Sequence, residues 1–229
     1  MTTTLITGAN KGLGREAARR LLADGHDVWV AARDPEKGRE AAEALGARFV
    51  QLDVTDDASV AAAAETVAAA GGLDVLINNA GISGGIVEPR ETGADRVARV
   101  FDTNVLGIVR VTNAFLPLLE RSENPVVVNV SSGMGSLGVT TDPDRLESTL
   151  VNFAYSPSKA AVNMLTTQQA KAFPGIRINV VDPGYTGTDF NHRGHQTVEE
   201  GTDAIVRMAS VDSDGPTGTF VDRNGTVPW

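Results

Sequence analysis

The sequence predicts an α/β fold in which a parallel sheet is covered by helices on both faces. Two observations lead to this prediction: short runs of β-branched residues recur along the chain, and longer alanine-rich stretches with helical periodicity lie between them. Such alternation is typical of parallel sheets with crossover helices. No linker, repeat or sharp change in composition divides the 229 residues, and a chain of this size can form one core. We therefore expect one domain over residues 1–229.

Seven runs of mostly β-branched and apolar residues are the predicted strands. They are Thr4–Thr7, Val28–Ala32, Phe49–Leu52, Val75–Asn78, Val126–Val130, Ile176–Val181 and Thr219–Val221. The first helix should begin near Leu13, where leucines and alanines start to recur on one face, and should end by Gly25. Asp34 and Pro35 are a capping residue and a helix-starting proline, and they predict a second helix. Further helices fit Asp57–Ala70, about Gly93–Arg121 and about Phe153–Ala172.

The composition argues against several classes of function. The 20 Lys and Arg residues are outnumbered by 29 Asp and Glu, which gives a formal charge of −9 and disfavours nucleic acid or an anionic membrane as the main partner. The absence of cysteine removes disulfides, thiolate nucleophiles and zinc–thiolate sites. The first residues lack a signal-peptide pattern, and no apolar run approaches the roughly 18 residues of a membrane span. We therefore expect a soluble cytoplasmic protein.

A glycine-rich loop follows the first predicted strand and leads into the first helix. Gly8, Gly12 and Gly14 allow a tight turn and a close approach of the backbone to a phosphate, whose charge a helix N-terminus stabilises. The spacing Gly-x-x-x-Gly-x-Gly differs from the common dinucleotide fingerprint, and an ordinary strand-to-helix turn is the alternative interpretation. The position of the loop in the first strand–helix unit favours a dinucleotide site.

The charges near this loop indicate which dinucleotide would bind. Arg33 is the first charged residue after the second strand and Lys11 lies in the glycine loop, so two cations could meet a 2′-phosphate. Asp34 is the acid that a free ribose 2′-hydroxyl would require, but it precedes Pro35 and is better explained as a helix cap. The sequence therefore favours NADP(H), and the alternative is that Lys11 and Arg33 are ordinary solvated charges.

A tyrosine and a lysine at helical spacing form a candidate catalytic pair. Tyr155 and Lys159 lie four residues apart, hence on one helical face, and the ammonium group is expected to lower the pKa of the phenol. A single pair of this kind is common on protein surfaces. Here it is accompanied by Asn78–Gly81, Asn104, Ser131–Ser132 and Pro183–Thr188. All of these segments except Asn104 follow predicted strands, at the carboxyl ends where open α/β sheets bind ligands.

Together, these motifs resemble the short-chain dehydrogenase/reductase family over essentially the whole chain, from Thr4 to about Val221. Within that family, the Ala-Asn-Lys-Gly loop, the Ala-Arg-Asp after the second strand and the Gly-Pro-Thr-Gly-Thr-Phe near the end are similar to the NADPH-dependent carbonyl reductase branch. The resemblance implies a three-layer, doubly wound Rossmann fold with a seven-stranded parallel sheet. It also implies a Tyr-Lys-Ser-Asn catalytic tetrad.

The resemblance assigns a role to each member of the tetrad. Tyr155 would be the general acid for carbonyl reduction, and Ser132 would hydrogen-bond the carbonyl oxygen as negative charge develops there. Lys159 would also hold the nicotinamide ribose, and Asn104 would position a water that relays protons to Lys159. The implied cofactor-binding residues are Gly8, Asn10, Lys11, Gly12, Leu13, Gly14, Arg33, Asp53, Val54, Asn79, Ala80, Gly81, Tyr155, Lys159, Pro183, Gly184, Tyr185, Thr186 and Thr188.

Two features depart from the commonest family pattern. Ser132 and Tyr155 are separated by 22 residues, a wider gap than most members have, and the additional Thr140–Asn152 segment is polar and acidic. We expect this segment either to cover the substrate cleft or to block a subunit interface. Ser131 and Ser132 are adjacent, and strand alternation sends only one of them toward the cleft. The family pattern selects Ser132, and Ser136 is a third candidate.

The predicted function is the NADPH-dependent reduction of a small-molecule ketone or aldehyde to an alcohol. An NAD-linked alcohol dehydrogenase and a non-catalytic dinucleotide-sensing protein are the alternatives. His26, His192 and His195 lack metal-ligand spacing, so no metal site is expected, and substrate contact by His192 or His195 is less favoured than simple solvation. The substrate and the physiological direction stay open, and we expect a homo-oligomer from the family's habit of associating through helices.

Overall fold

The computed structural model describes residues 1–85, 87–188 and 194–229, and strands alternate with helices within these ranges. The strands are β1 (Thr3–Thr7), β2 (Asp27–Ala32), β3 (Arg48–Gln51), β4 (Val75–Asn78), β5 (Val126–Val130), β6 (Arg177–Val181), β7 (Phe220–Asp222) and β8 (Gly225–Thr226). The helices are α1 (Gly12–Ala23), α2 (Pro35–Leu45), α3 (Asp57–Ala69), α4 (Ala94–Phe101), α5 (Gly107–Leu119), α6 (Leu137–Thr140), α7 (Tyr155–Ala172), α8 (Val198–Gly201) and α9 (Asp203–Ala209). The 3₁₀ turns are Pro89–Glu91, Gly133–Gly135 and Leu146–Thr149, and a π-helical turn spans Asp102–Leu106.

The strands form one sheet in the order β3-β2-β1-β4-β5-β6-β7-β8. Neighbouring strands from β3 through β7 are parallel, and β8 pairs antiparallel with β7. The chain moves outward from β1 to β3 and then crosses to β4 on the other side of β1. This reversal of strand order opens a crevice at the carboxyl ends of β1 and β4, where ligands bind in folds of this kind.

The predicted parallel α/β fold is confirmed, but the sheet has one strand more than the seven that the family resemblance implied. The eighth strand forms because a tight turn follows β7: the Asp222 carboxylate accepts hydrogen bonds from the N–H groups of Asn224 and Gly225, at 2.7 and 2.9 Å. Gly225 has a φ of 144°, which favours glycine. The turn brings Gly225 and Thr226 back alongside β7, where they form β8 at the edge of the sheet.

Helices cover both faces of the sheet, as the strand–helix alternation predicted. On one face Ile6 packs with Leu21 of α1 and Ile205 of α9. On the other face Leu5 packs in a cluster that includes Phe115 of α5. Leu5 and Ile6 are adjacent in β1 and point to opposite faces, and both are fully buried. The result is the three-layer, doubly wound arrangement.

The boundaries of the first two helices follow local capping chemistry. α1 begins at Gly12, one residue before the predicted start. α2 begins at Pro35, and the Asp34 carboxylate caps it by accepting from the N–H groups of Glu36 and Lys37 at 3.1 and 3.2 Å. Asp34 is therefore the helix cap that the sequence predicted.

Within the described ranges, no helix has both the length and the apolar character needed to cross a membrane.

The helix prediction was incomplete in two respects. The helix predicted over about Gly93–Arg121 is present, but a π turn at Asp102–Leu106 inside it separates α4 from α5. The short helices α6, α8 and α9 were not predicted. α8 begins with a capping box in which the Thr197 hydroxyl accepts from the Glu200 N–H and the Glu200 carboxylate accepts from the Thr197 N–H. The Thr-x-x-Glu spacing is the sequence signal that could have found it.

Candidate active site

The carboxyl ends of the central strands open onto a cleft of about 690 Å³, a size typical of small-molecule sites. Most of the predicted site residues line this cleft. They are Gly8, Asn10, Lys11, Gly12, Leu13, Arg33, Asp53, Val54, Asn79, Ala80, Gly81, Ser132, Tyr155, Lys159, Pro183, Gly184, Tyr185, Thr186 and Thr188. The two other predicted residues, Gly14 and Asn104, are buried behind the lining.

The glycine loop between β1 and α1 has the backbone geometry of a phosphate site. Gly8 and Gly12 have φ values of 65° and 56°, in the left-handed region that favours glycine. A Cβ on Gly14 would lie 2.5 Å from Nδ2 of Asn79, so the close approach of α1 to the end of β4 requires a glycine. Asn79 in turn donates to the Thr7 carbonyl at 2.8 Å and supports the loop. The N-terminus of α1 opens onto the cleft at Gly12, where its amide groups and dipole would stabilise a pyrophosphate.

Besides Lys159, three cations line the cleft: Lys11, Arg33 and Lys37. Lys37 was not predicted, and its position one turn into the helix that starts just after Arg33 is the signal that could have found it. Asp34 also lines the cleft, but its carboxylate is held by hydrogen bonds from the N–H groups of Lys37 and Glu36, which lower its pKa. This part of the cleft therefore combines three positive groups with a carboxylate that is already engaged as a helix cap.

Asp53 and Val54, which the resemblance implied beside the adenine, follow β3 and line the cleft. Burial alone would raise the pKa of Asp53, but hydrogen bonds from the N–H and hydroxyl of Thr55, at 2.9 and 2.7 Å, and the positive charge of Arg33 outweigh it and lower the pKa. Asp53 is therefore an ionised residue that orders its own loop close to Arg33.

Tyr155 and Lys159 lie on the same side of α7, as their spacing predicted, and Nζ of Lys159 is 5.6 Å from the centre of the Tyr155 ring. The Tyr155 hydroxyl forms a hydrogen bond with Ser132. Lys159 donates to the Val130 carbonyl at 2.8 Å. Part of the Tyr155 surface stays open to the cleft, so a bound molecule could reach the phenol.

The direction of the Tyr155 pKa shift is opposite to the predicted one. Burial raises the pKa of Tyr155, the hydrogen bond with Ser132 opposes this effect, and the negative charge of Asp182 adds to it. Burial lowers the pKa of Lys159 to about 8, against the effect of Asp182. Loss of hydration is the largest cause of both shifts, because burial disfavours the charged form of each group. The phenol therefore keeps its proton near neutral pH.

Of the three candidate serines, Ser132 is the one that the structure places against Tyr155. Ser131 also borders the cleft, but it is 2% exposed and its hydroxyl donates to Oδ1 of Asn163 at 2.6 Å. The Ser136 hydroxyl caps α6 by accepting from the Val139 N–H. Strand alternation at the end of β5 separates the two adjacent serines, as expected for an extended backbone.

The Asn104 side chain is fully buried inside the π turn and links two neighbouring segments. Its Oδ1 accepts from the Ile82 N–H at 2.8 Å. Its Nδ2 donates to the Ile82 carbonyl and to the Ser158 hydroxyl, both at 3.0 Å. Asn104 therefore holds the loop that follows β4 against α7, next to the lysine that it was predicted to serve. Its role in a water relay stays a prediction.

The Pro183–Thr188 segment follows β6 and approaches the glycine loop. The Thr188 side chain lies 3.9 Å from the position of a Cβ on Gly12, and Tyr185 packs against the His195 ring with their centres 5.3 Å apart. His192 lies outside the described residues. In the part of the chain that the structure describes, no group of three His, Cys, Asp or Glu residues is arranged to hold a metal ion.

Asp182, directly before this segment, was not predicted to belong to the site. It lines the cleft and is 5% exposed. Burial raises its pKa against hydrogen bonds from the N–H groups of Gly184 and Gly133, and the negative charges of Glu147 and Asp222 raise it further. An acid at the carboxyl end of a buried strand is the signal that could have found it.

The additional Thr140–Asn152 segment forms part of one wall of the cleft, the first of its two predicted roles. Its lining residues are Leu146, Glu147, Leu150, Val151 and Asn152. Asn152 also orders the start of α7, because its Oδ1 accepts from the Tyr155 N–H at 2.8 Å while its Nδ2 donates to the Ser83 carbonyl at 3.2 Å. The segment therefore shapes the cleft and holds the backbone of Tyr155.

Replacing Gly135 by alanine is expected to lower the free energy of unfolding by about 2 kcal/mol. A Cβ on Gly135 would lie 2.5 Å from the carbonyl carbon of Lys159 and 2.7 Å from its Cβ, so α7 would have to move away from the loop that carries Ser132. Urea unfolding measures the effect. Gly175→Ala is the matched control, because nothing lies within 4 Å of the added Cβ; equal unfolding midpoints for the two variants would contradict the prediction.

Comparison with known proteins shows which family and which characterised proteins this chain resembles. The chain matches the family model described as short chain dehydrogenase over residues 2–199. It is 36% identical to short-chain dehydrogenase/reductase 1 from Saponaria officinalis, over 98% of this chain and 95% of that protein. It is 35% identical to (+)-neomenthol dehydrogenase from Arabidopsis thaliana, over 96% of this chain and 95% of that protein. The NADPH-bound carbonyl reductase from chicken fatty liver superimposes with a TM-score of 0.89 and 28% identity, over 100% of this chain and 99% of that chain.

The doubly wound sheet, with a glycine loop after its first strand, places this protein in the class of Rossmann-fold dinucleotide-binding proteins. Within that class, the chain belongs to the short-chain dehydrogenase/reductase family, as its sequence motifs predicted. It is therefore an enzyme of an oxidoreductase family that binds nicotinamide dinucleotides.

Proposed function

We propose that this protein is an NADPH-dependent carbonyl reductase that converts a ketone or aldehyde to an alcohol. The observation that carries the proposal is the hydrogen bond between Ser132 and Tyr155 in the same cleft as Lys11 and Arg33. Two hydroxyl groups that meet at one point can both bind a carbonyl oxygen, and one of them, Tyr155, retains a proton that it can transfer.

The cleft fits a phosphorylated dinucleotide. Gly8 and Gly12 leave room for a pyrophosphate at the N-terminus of α1. Lys11 and Arg33 would bind the 2′-phosphate, and Lys37 supplies a further positive charge nearby. The remaining predicted residues would hold the adenine, the ribose and the nicotinamide carboxamide, as the resemblance implies. When bound, the reduced cofactor would supply the hydride.

The protein's own groups would supply orientation and the proton. Ser132 would donate a hydrogen bond to the carbonyl oxygen, and Tyr155 would transfer its proton to that oxygen as negative charge develops there. The raised pKa of Tyr155 keeps the proton in place until the oxygen becomes strongly basic. Lys159 would then stabilise the phenolate and, with Asn104, return a proton to it. The chicken carbonyl reductase, solved with NADPH bound, supports both the cofactor and the reaction.

Cofactor preference is the first test. We expect NADPH to bind at least tenfold more tightly than NADH, and Arg33→Ala to weaken NADPH by roughly 10- to 100-fold, because hydrogen bonds to charged groups contribute about 1.5–3 kcal/mol. Fluorescence titration of both nucleotides measures this. Arg121→Ala, an exposed arginine that does not line the cleft, is the control and should bind both nucleotides as the wild type does.

Two results would contradict the cofactor assignment. If NADH binds more tightly, Asp34 becomes the ribose ligand to test and an NAD-linked alcohol dehydrogenase is the better description. If neither nucleotide binds, the cation argument fails. The reaction is then tested with a panel of aliphatic and aromatic ketones and aldehydes, with NADPH oxidation as the measured signal. If NADPH binds but none of these compounds is turned over, a sensing protein would be favoured.

A further inference from the structure

Asp182 joins the two loops that form the reacting end of the cleft. It is the first residue after β6, and its Oδ1 accepts a hydrogen bond from the Gly184 N–H at 2.9 Å. The same carboxyl group also accepts a hydrogen bond from the Gly133 N–H. Gly133 directly follows Ser132, whereas Gly184 lies in the segment implied to hold the nicotinamide carboxamide. One buried side chain therefore connects the substrate-binding loop to the cofactor-binding loop.

We propose that Asp182 is a positioning residue for carbonyl reduction, whose carboxyl oxygens hold the Ser132 loop and the Pro183–Thr188 loop at a fixed separation. The inference rests on the proposed function, because it assigns to these two loops the binding of the carbonyl and of the nicotinamide. Hydride transfer needs the reacting atoms within a few tenths of an ångström of their best distance, and a shift of about 1 Å can lower the rate roughly 100-fold.

The packing around Gly133 shows how tightly this connection is built. A Cβ on Gly133 would lie 3.0 Å from Oδ2 of Asp182 and 2.9 Å from Oε1 of Glu147. The backbone next to Ser132 therefore packs directly against the carboxyl group of Asp182. The Glu147 carboxylate of the additional segment packs against the same glycine. Gly184 has a φ of 70°, which a glycine adopts without strain, and this turn brings its N–H back toward Asp182.

The role belongs to the acceptor oxygens of Asp182 and not to its charge. Lys159, Tyr155, Glu147 and Asp222 are the charged or titratable groups that act electrostatically on Asp182 or feel its charge. Two of them are acids that disfavour a negative charge on Asp182. Both N–H groups that bind the carboxyl group need only an acceptor oxygen, whether or not it is charged. An asparagine would keep one of the two acceptor oxygens and replace the other by an NH2 group, which only donates.

Three variants of Asp182 distinguish a role of its acceptor oxygens from a role of its charge. With saturating NADPH and the best ketone substrate, Asp182→Asn should lower kcat by no more than about tenfold, because its amide oxygen still accepts from one of the two N–H groups while its NH2 group cannot accept from the other. Asp182→Ala, which lacks an acceptor, and Asp182→Glu, whose carboxylate is displaced by one methylene, should lower kcat by roughly 30- to 100-fold. NADPH affinity, measured by fluorescence titration, should change less than about threefold, because the phosphate-binding residues are untouched.

The control is Asp222→Ala, which removes an aspartate that likewise accepts two backbone N–H bonds but lies in the β7–β8 turn. It should lower kcat less than twofold. If Asp182→Ala retains kcat within threefold, or if Asp182→Glu is active while Asp182→Asn is not, the proposal is wrong. If Asp182→Ala does not fold, the Asn and Glu variants decide the question. If the wild-type protein reduces no carbonyl compound, the proposed function is refuted. The wild type is measured first, so this result is distinguished from a failure of the Asp182 proposal.

Discussion

Replacing Tyr155 by phenylalanine is expected to lower kcat for carbonyl reduction by roughly 100- to 10,000-fold, the usual contribution of a positioned general acid. The substitution removes the proposed proton donor and leaves a ring of nearly the same volume at the start of α7. Because burial raises the pKa of Tyr155, the wild-type phenol is protonated throughout the neutral range. The proposed activity would therefore depend on the presence of the hydroxyl, and not on a small ionised fraction of the phenol.

Steady-state rates with NADPH and a reducible ketone measure this effect, and NADPH titration of the same preparation shows whether the cofactor site survives. We expect binding to weaken by less than about tenfold, since most predicted cofactor contacts lie elsewhere in the cleft. A Tyr155→Phe variant that retains a tenth or more of the wild-type kcat would show that another group supplies the proton.

Replacing Ser132 by alanine is expected to lower kcat by roughly 100- to 1,000-fold, as for the loss of one hydrogen-bond donor to a developing oxyanion. Ser132 bonds with Tyr155 at the cleft surface. The substitution would remove one of the two groups proposed to hold the carbonyl oxygen, and the KM for the ketone should rise with the loss of rate. The free energy of unfolding should fall by no more than about 1 kcal/mol, because Ser132 is partly open to the cleft and the variant loses the cap that its hydroxyl provides to the Met134 N–H at 3.2 Å.

Ser131→Ala is the matched control, one residue earlier in the chain. Ser131 is 2% exposed and donates to Asn163 at 2.6 Å, so its loss leaves a buried acceptor unsatisfied and should lower the free energy of unfolding by about 1–3 kcal/mol. The kcat of this variant should stay within a few fold of the wild type. Urea unfolding and steady-state kinetics on both variants test the assignment, which an exchange of the two phenotypes would overturn.

Much of the fold could be predicted because its determinants are local. The β-branched runs predicted each strand from β1 to β7 to within a residue or two at its ends, and Asp34 with Pro35 marked the start of α2. β8 was missed because it is only two residues long and depends on the Asp222 turn. The helices α8 and α9 are short, and α8 is set by a capping box rather than by a long apolar periodicity.

The candidate site was predicted less completely, and the reason differs from residue to residue. The glycine loop and the Tyr155–Lys159 pair have recognisable spacings, and they line the same cleft. The sign of the Tyr155 pKa shift was wrong because spacing reveals a neighbouring charge but not the depth of burial. Lys37 was overlooked because its contribution depends on the direction in which the first turn of α2 faces.

The α/β class, the strands β1 to β7, the glycine loop and the residue types available for catalysis could be predicted from the residues alone. These depend on periodicity, caps and turns, in which each residue interacts with partners a few positions away. Three features became visible only in the folded chain: the contact of Ser132 with Tyr155, the link that Asn104 makes between the loop after β4 and α7, and the link that Asp182 makes between Gly133 and Gly184. These contacts are made between segments far apart in the chain, and their geometry is set by how the sheet and helices pack together.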